Sequence, residues 1–292
     1  MRVGLMNLEP KIENTALMQI SQYHKERNDS VEWYSSLFYP EYDRIYGSSL
    51  FTFTKKPVLR PKMVVGGTGF NVQLRLPPAI ENANLDYSIY PNCKTSYIWF
   101  SRGCDKYCPF CVVPTKEGKL HLEDPKNLNS KATRISVMDN SFTQLPKDAF
   151  HHAVMLLEDF GYSVDWQCGI DCRILDEEKW DAIRGLKRYK QLRTAWDNPR
   201  EDLRSNLEMM GDFFGKSALM VYVLIGYWST PQEDLYRINE IRKLGLDPWV
   251  MPYNKKDPYQ KAFERWANRH VGCDWKDYNY GNWSSQIEVS IK

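Results

Sequence analysis

Three of the seven cysteines stand close together, in Cys104-Asp-Lys-Tyr-Cys108-Pro-Phe-Cys111. CxxxCxxC spacing on one short loop can bring three soft thiolates to one face of a cubic four-iron four-sulfur cluster, one per iron, leaving the fourth iron without a protein ligand. An open iron is a position for a substrate or cofactor, just as an open position on zinc marks a catalytic rather than a structural site. A zinc knuckle is the competing reading. Structural zinc asks for four ligands, and no second pair follows at zinc spacing, since Cys168 and Cys172 are distant and spaced differently. Three merely buried thiols are the plainest alternative, and the charged Asp105 and Lys106 inside the loop argue against it.

The flanks of the loop carry a resemblance to a known family. Tyr97-Ile-Trp-Phe-Ser-Arg-Gly-Cys104 and Phe110-Cys111-Val-Val-Pro114 resemble the first strand and cluster loop of the radical S-adenosylmethionine (radical SAM) superfamily, whose pattern includes an aromatic residue, here Phe110, directly before the third cysteine. The resemblance implies a four-iron four-sulfur cluster on Cys104, Cys108 and Cys111. It also implies SAM chelated to the open iron, reductive cleavage of SAM to a 5'-deoxyadenosyl radical, and an electron donor such as flavodoxin or ferredoxin. That chemistry belongs to the cofactor, and the protein supplies orientation and shielding.

The elements that must position this loop are legible in outline. With 292 residues, 42% of them hydrophobic, the chain has enough apolar material for a substantial core in one domain or two. Lys plus Arg is 39 against 37 for Asp plus Glu, so no global field favours nucleic acid, a membrane surface or acidic partners. The first residues run into a strand-like segment without a signal peptide, and no apolar run has the length of a membrane span; the expectation is a soluble cytoplasmic protein. An odd number of cysteines, three of them in the loop, does not describe a disulfide framework. An aromatic content of 14% suits a pocket wall as well as a core.

Arg2 to Leu8 reads as a buried strand, and Asn14 to Lys25 as a helix capped by Asn14. Val31 to Tyr34, Arg44 to Phe51 and Lys62 to Val65 read as further short strands of a Rossmann-like parallel layer. This layer resembles the cobalamin-binding-like domain that precedes the barrel in one branch of the superfamily. The DxHxxG motif that supplies a cobalamin histidine is absent, because Asn7-Leu-Glu-Pro-Lys-Ile-Glu-Asn14 occupies the loop after the first strand. Cobalamin is therefore not expected. Gly66 to Gly69 lacks the order of a phosphate cradle and reads as a strand-end turn with close backbone approach. Leu76 to Pro91 reads as a connector, with residues 1–91 as the Rossmann-like domain and 92–292 as the second.

From Tyr97 onward strands and helices alternate. Ala132 to Met138, Ser163 to Cys168, Gln191 to Trp196, Leu219 to Ile225 and Pro248 to Met251 read as strands. Lys147 to Phe160, Glu177 to Leu186, Pro199 to Phe214 and Pro231 to Leu244 read as helices. With the cluster strand these describe an open (β/α)6 partial barrel of radical SAM type, followed by an aromatic tail with Cys273, Trp275, Tyr278, Tyr280 and Trp283.

Functional residues of such a sheet belong at the carboxyl ends of its strands. The resemblance places Asp139 and Asn140, with Phe142, where the family holds the SAM amino group; a local Asx-turn is the alternative. Arg173 offers a planar fork for the SAM carboxylate, or a salt bridge to Asp176. Asp197, with Asn198, offers an acceptor for ribose hydroxyls or a helix cap, and Gly226 allows close approach to adenine. Cys168 and Cys172 read as core, and His151-His152 shows no metal-ligand spacing. A different class of function is a zinc-knuckle module binding nucleotide or nucleic acid, drawing on Lys187, Arg188, Lys190, Arg193, Lys255 and Lys256. Within the enzyme class, methylation and methylthiolation are the candidate reactions. The sequence departs from both patterns, since no cysteine precedes Cys93 and the cobalamin motif is missing.

Overall fold

In the computed structural model, which describes residues 1–174, 176–269 and 272–278, the run Val-Gly-Leu-Met forms the centre of β1 (Arg2–Asn7) and buries Val3 and Leu5. Asn14 ends the following loop by capping α1 (Thr15–Lys25), its Oδ1 accepting from the Leu17 amide at 3.1 Å. Leu17 and Ile20 of α1 join Val3, Leu5, Tyr46 and Ile80 in one apolar cluster. Then come β2 (Ser30–Trp33), β3 (Arg44–Ser48) and β4 (Met63–Gly66), all parallel, in the order β2-β1-β3-β4. The order reverses between β1 and β3, as in doubly wound sheets. β3 ends three residues earlier than expected, because the Ser49 and Leu50 side of the chain turns towards Glu9.

The short α2 (Pro78–Glu81) leads to β5 (Thr95–Ile98), β6 (Ser101–Arg102), α3 (Val113–Lys116), β7 (His121–Leu122) and β8 (Arg134–Val137). β5 and β8 are parallel neighbours, while β6 and β7 make an antiparallel ribbon that the sequence pattern did not announce. β5 ends at Ile98, and beyond it the Phe100 amide turns to the Asp139 carboxylate.

Contacts divide the chain into two units, Met1–Asn140 and Ser141–Lys292; residue 92, the expected boundary, falls within the first. The second unit opens with α4 (Lys147–Phe160) and β9 (Ser163–Trp166), which is bridged at Val164 to Arg188. Next come α5 (Glu177–Gly185), capped by Asp176, then β10 (Leu192–Ala195) and α6 (Arg204–Phe214). α6 begins later than the expected Pro199, because Asn198 first closes a turn by accepting from the Arg200 amide at 3.1 Å. β11 (Leu219–Ile225), α7 (Pro231–Lys243), β12 (Asp247–Pro252) and α8 (Pro258–Asn268) complete the unit.

β10, β11 and β12 form a parallel sheet with β11 at its centre. Leu219, Val221, Val223 and Ile225 are buried and the residues between them half-buried, as expected of a parallel strand covered on both faces. Thr230 and Glu233 make a reciprocal capping box at the start of α7. α8 was not expected from the sequence. It starts on an Asp257 cap and packs Phe263 and Trp266 against the buried Trp275. Of the expected aromatic tail, Tyr280 and Trp283 lie outside the described residues. Both units are thus α/β and built on parallel strands; among the described residues no sheet closes into a barrel and no helix is long and apolar enough to cross a membrane.

Candidate functional site

The β6–β7 ribbon pairs Ser101 with Leu122 and Arg102 with His121, so residues 103–120 form a loop closed at its base. Gly103 stands at that base with φ +77°, and a Cβ there would lie 2.1 Å from the Lys119 carbonyl oxygen, so only glycine fits. The Cys104 amide donates to the Gly118 carbonyl at 3.2 Å, and the Leu120 amide to Asp105 Oδ1 at 3.1 Å. Tyr107, between the first two cysteines, takes left-handed backbone with φ 49°. That conformation costs a bulky residue about 1–3 kcal/mol and persists only where the surroundings enforce it.

Cys104, Cys108 and Cys111 are half-buried, and no cysteine is in a disulfide. Cys104 Sγ accepts from the Lys106 amide at 3.5 Å, and Cys111 Sγ from the Val113 amide at 3.4 Å. Amide donors to sulfur support the negative charge of a ligating thiolate and tune a cluster's potential. Phe110 is half-buried beside the third cysteine. Among the described residues no three His, Cys, Asp or Glu side chains gather tightly enough to hold one metal ion. Three thiolates at CxxxCxxC spacing are a donor set that suits a cubic cluster, one thiolate per iron.

Asp139 and Asn140 follow β8 at the base of the loop. Asp139 is completely buried, its Oδ1 accepting from the Phe100 amide at 3.1 Å and its Oδ2 from the Ser101 hydroxyl at 2.5 Å. Burial pushes the carboxyl up to about 6 in spite of those two bonds. Asn140 donates to Glu117, which also accepts from Arg102 at 3.1 Å and from the Gly103 amide at 3.4 Å. Burial alone would raise the Glu117 carboxyl, but the charge of Arg102, with help from Asn140 and Lys116, holds it below its ordinary range. Glu117 therefore ties both ends of the cysteine loop to the end of β8. Sequence reasoning missed it, because one glutamate six residues past the last cysteine matches no spacing rule.

The remaining candidates belong to the second unit. Arg173 grips Asp171 through two bonds, at 2.8 and 3.2 Å, and reaches Glu201 at 3.3 Å; Asp176, the partner considered from sequence, caps α5 instead. Asp197 accepts from the Leu224 amide at 3.0 Å, and burial raises its carboxyl. Its carbonyl oxygen receives a bond from Arg237 at 2.9 Å. Arg237 is fully buried and also donates to the carbonyls of Trp196 and Leu224 and to Asp234 Oδ1, at 2.7, 3.0 and 2.7 Å. Gly226 has φ +76°, and a Cβ there would meet the Gln260 amide group at 2.1 Å. Cys172 is buried, its thiol pushed up to about 11 by burial, in keeping with core packing. Arg193 of the basic patch pairs with Asp165 at 2.9 Å. The structure thus brings Asp139 and Asn140 to the cysteine loop and gives Arg173, Asp197 and Gly226 partners within their own unit.

In the first unit, the loop after β1 is fastened by Glu9. Its carboxylate accepts from the Ser49 hydroxyl at 2.9 Å, the Leu50 amide at 3.0 Å and the Thr54 hydroxyl at 2.5 Å. His24 is buried, with Nδ1 on Asp29 at 2.7 Å and Nε2 on the Tyr46 hydroxyl at 3.0 Å. Neither the Glu9 loop nor His24 presents an imidazole for a histidine-ligated cobalamin, so these residues do not fit that group. Gly66 to Gly69 makes a strand-end turn, with the Gly69 amide on the Ser49 carbonyl at 2.8 Å.

No family model matches the chain, and no curated protein does. Among solved structures it is similar to SuiB of Streptococcus suis, solved bound to precursor peptide SuiA, with a TM-score of 0.41 and 12% identity. The match covers 67% of this chain and 47% of SuiB, so the chain spans about half the length of the solved protein it matches.

Proposed function

We propose that the chain is a radical SAM enzyme of the cytosol, where cluster thiols stay reduced. In this reading a Rossmann-like layer of residues 1–91 precedes a partial-barrel domain of residues 92–292. The observation that carries it is the cysteine loop: three thiols at CxxxCxxC spacing, an aromatic residue before the third, closure on a ribbon just after β5, and amide donors on two of the sulfurs. Cys104, Cys108 and Cys111 would hold the four-iron four-sulfur cluster. When bound, the cluster and SAM would supply reductive cleavage to a 5'-deoxyadenosyl radical, with electrons from a flavodoxin- or ferredoxin-like donor.

The chain's own part is positioning. Gly103 lets the loop close, Glu117 joins its two ends, and Asp139 fixes Phe100 and Ser101 just ahead of it. The test is reconstitution with iron and sulfide without oxygen, addition of SAM and dithionite, and measurement of 5'-deoxyadenosine. Production that depends on all three cysteines is expected; intact SAM with a fully loaded cluster would overturn the assignment. Phe110, Asp139, Asn140, Arg173, Asp197 and Gly226 are the candidate SAM contacts, each to be tested singly. Calorimetric SAM affinity reduced tenfold or more marks a ligand contact, and wild-type affinity marks a structural residue.

A further inference from the structure

Parallel sheets are normally covered on both faces, and the first unit departs from that rule over β3 and β4. The register sets Tyr46 beside Val64 and Ser48 beside Gly66, so these four share one face. α1 packs on β1 and β2 and reaches β3 at Tyr46, and the connection from β3 to β4 contains no helix to cover the rest of that face. Val64, inside a strand, is left 48% exposed, and Leu74, which lines the same cavity, 47%. The space so left is a cavity of about 860 Å³, running along the sheet from Arg44 at the start of β3 to Gly66 at the end of β4. Small-molecule sites occupy about 300–1,000 Å³.

The charges around this apolar floor are unbalanced. Arg27, Arg44 and Arg75 line the cavity, and among the described residues none of the three is paired with a carboxylate. Arg27 lies over the Tyr23 ring at 3.6 Å, and Arg44 stands beside the Tyr46 hydroxyl, whose other neighbour is His24. Of the cavity's acids, Asp29 is taken by His24, Glu117 by Arg102 and Glu123 by His121, which leaves Glu81. A guanidinium recognises phosphate and carboxylate through its planar fork.

We propose that this cavity binds a small soluble amphipathic anion, with an apolar body on Tyr46, Val64 and Leu74 and a phosphate or carboxylate held by Arg27, Arg44 and Arg75. The cavity borders the cysteine loop through Arg102, Lys116, Glu117, His121 and Glu123, but anion binding by the three arginines needs no cluster, so its failure would leave the radical reading untouched. The full chain without iron is titrated with two fluorescent probes, 8-anilinonaphthalene-1-sulfonate and its uncharged analogue N-phenyl-1-naphthylamine. One saturable sulfonate site per chain is expected. The double variant Arg44→Glu/Arg75→Glu should weaken the sulfonate probe at least tenfold and leave the neutral probe within twofold. Gly66→Phe should displace both probes, since a Cβ at Gly66 meets nothing within 4 Å and a larger side chain has open space to enter. Equal sulfonate affinity in the arginine variant, whose changes are on exposed side chains and leave the fold intact, would overturn the anion assignment. Undiminished binding of both probes in Gly66→Phe, with native circular dichroism, would overturn the site.

Discussion

The strand ends of the two units differ in what their polar groups do. In the second unit Arg173, Asp197 and Arg237 are bonded to neighbours within a few ångströms, and the buried Arg237 alone serves four carbonyls and a carboxylate. In the first unit the polar groups at the end of β8 are bonded to the base of a loop, and the loop carries three thiols. A charged residue at a strand end can equally close the fold or meet a ligand. A set of soft donors at cluster spacing has few structural uses. The difference teaches that residue type with spacing points to chemistry more sharply than position in a sheet.

The largest test of that contrast is Arg237→Met. Removing one partner of a buried ion pair leaves the other uncompensated, at a cost of about 3–5 kcal/mol. Urea unfolding should show a loss of that size; a loss below about 1 kcal/mol would mean the second unit's strand ends are not held as described.

Asp139 comes next and has a sign that can be checked. Its folded-state value of about 6 stands above the ordinary carboxylate value, so the folded protein keeps the proton longer than the unfolded chain. The contribution of Asp139 to stability is therefore fully present below about pH 4 and is lost, by about 3 kcal/mol, as the pH rises to about 6. The wild-type minus Asp139→Asn difference in stability should fall with pH between those limits. A difference that is constant or rises with pH across the same window would contradict a carboxyl raised by burial.

Gly103→Ala sharpens the comparison from the loop's side. Left-handed backbone and a Cβ against the Lys119 carbonyl should cost about 2 kcal/mol. The loss should appear in iron retention after reconstitution, with the far-ultraviolet circular dichroism unchanged. Full iron retention would show that the loop closes without this turn. The smallest effect belongs to Arg173→Ala. Its partners Asp171 and Glu201 are partly solvated, so screening should keep the loss of stability within about 1 kcal/mol. A loss of 3 kcal/mol or more in chemical denaturation would place Arg173 among the buried supports instead.

Much of the frame was legible because local signals agreed. Asn14 before an apolar helical period marked the start of α1, and the branched apolar run Leu219–Ile225 bounded by Gly226 marked β11. The cysteine loop was read from spacing alone. The β6–β7 ribbon was not legible, because two-residue strands are too short to show a period. Nothing in the sequence singles out Arg237 on α7, and only the carbonyls that β10 and β11 bring to it explain its burial. Glu117 likewise acquires its role from Arg102, Gly103 and Asn140, which sequence distance hides. Asp139 was expected as a contact for the SAM amino group, and in the structure both its oxygens accept from the chain just before the loop, at Phe100 and Ser101.

The central claim is most directly tested by counting iron and acid-labile sulfide per chain after anaerobic reconstitution. The wild-type chain and Cys168→Ala/Cys172→Ala should each hold about four of both, and Cys104→Ala/Cys108→Ala/Cys111→Ala should hold almost none. A triple variant that keeps the full complement, or a wild-type chain that takes up a single zinc and no sulfide, would contradict the account.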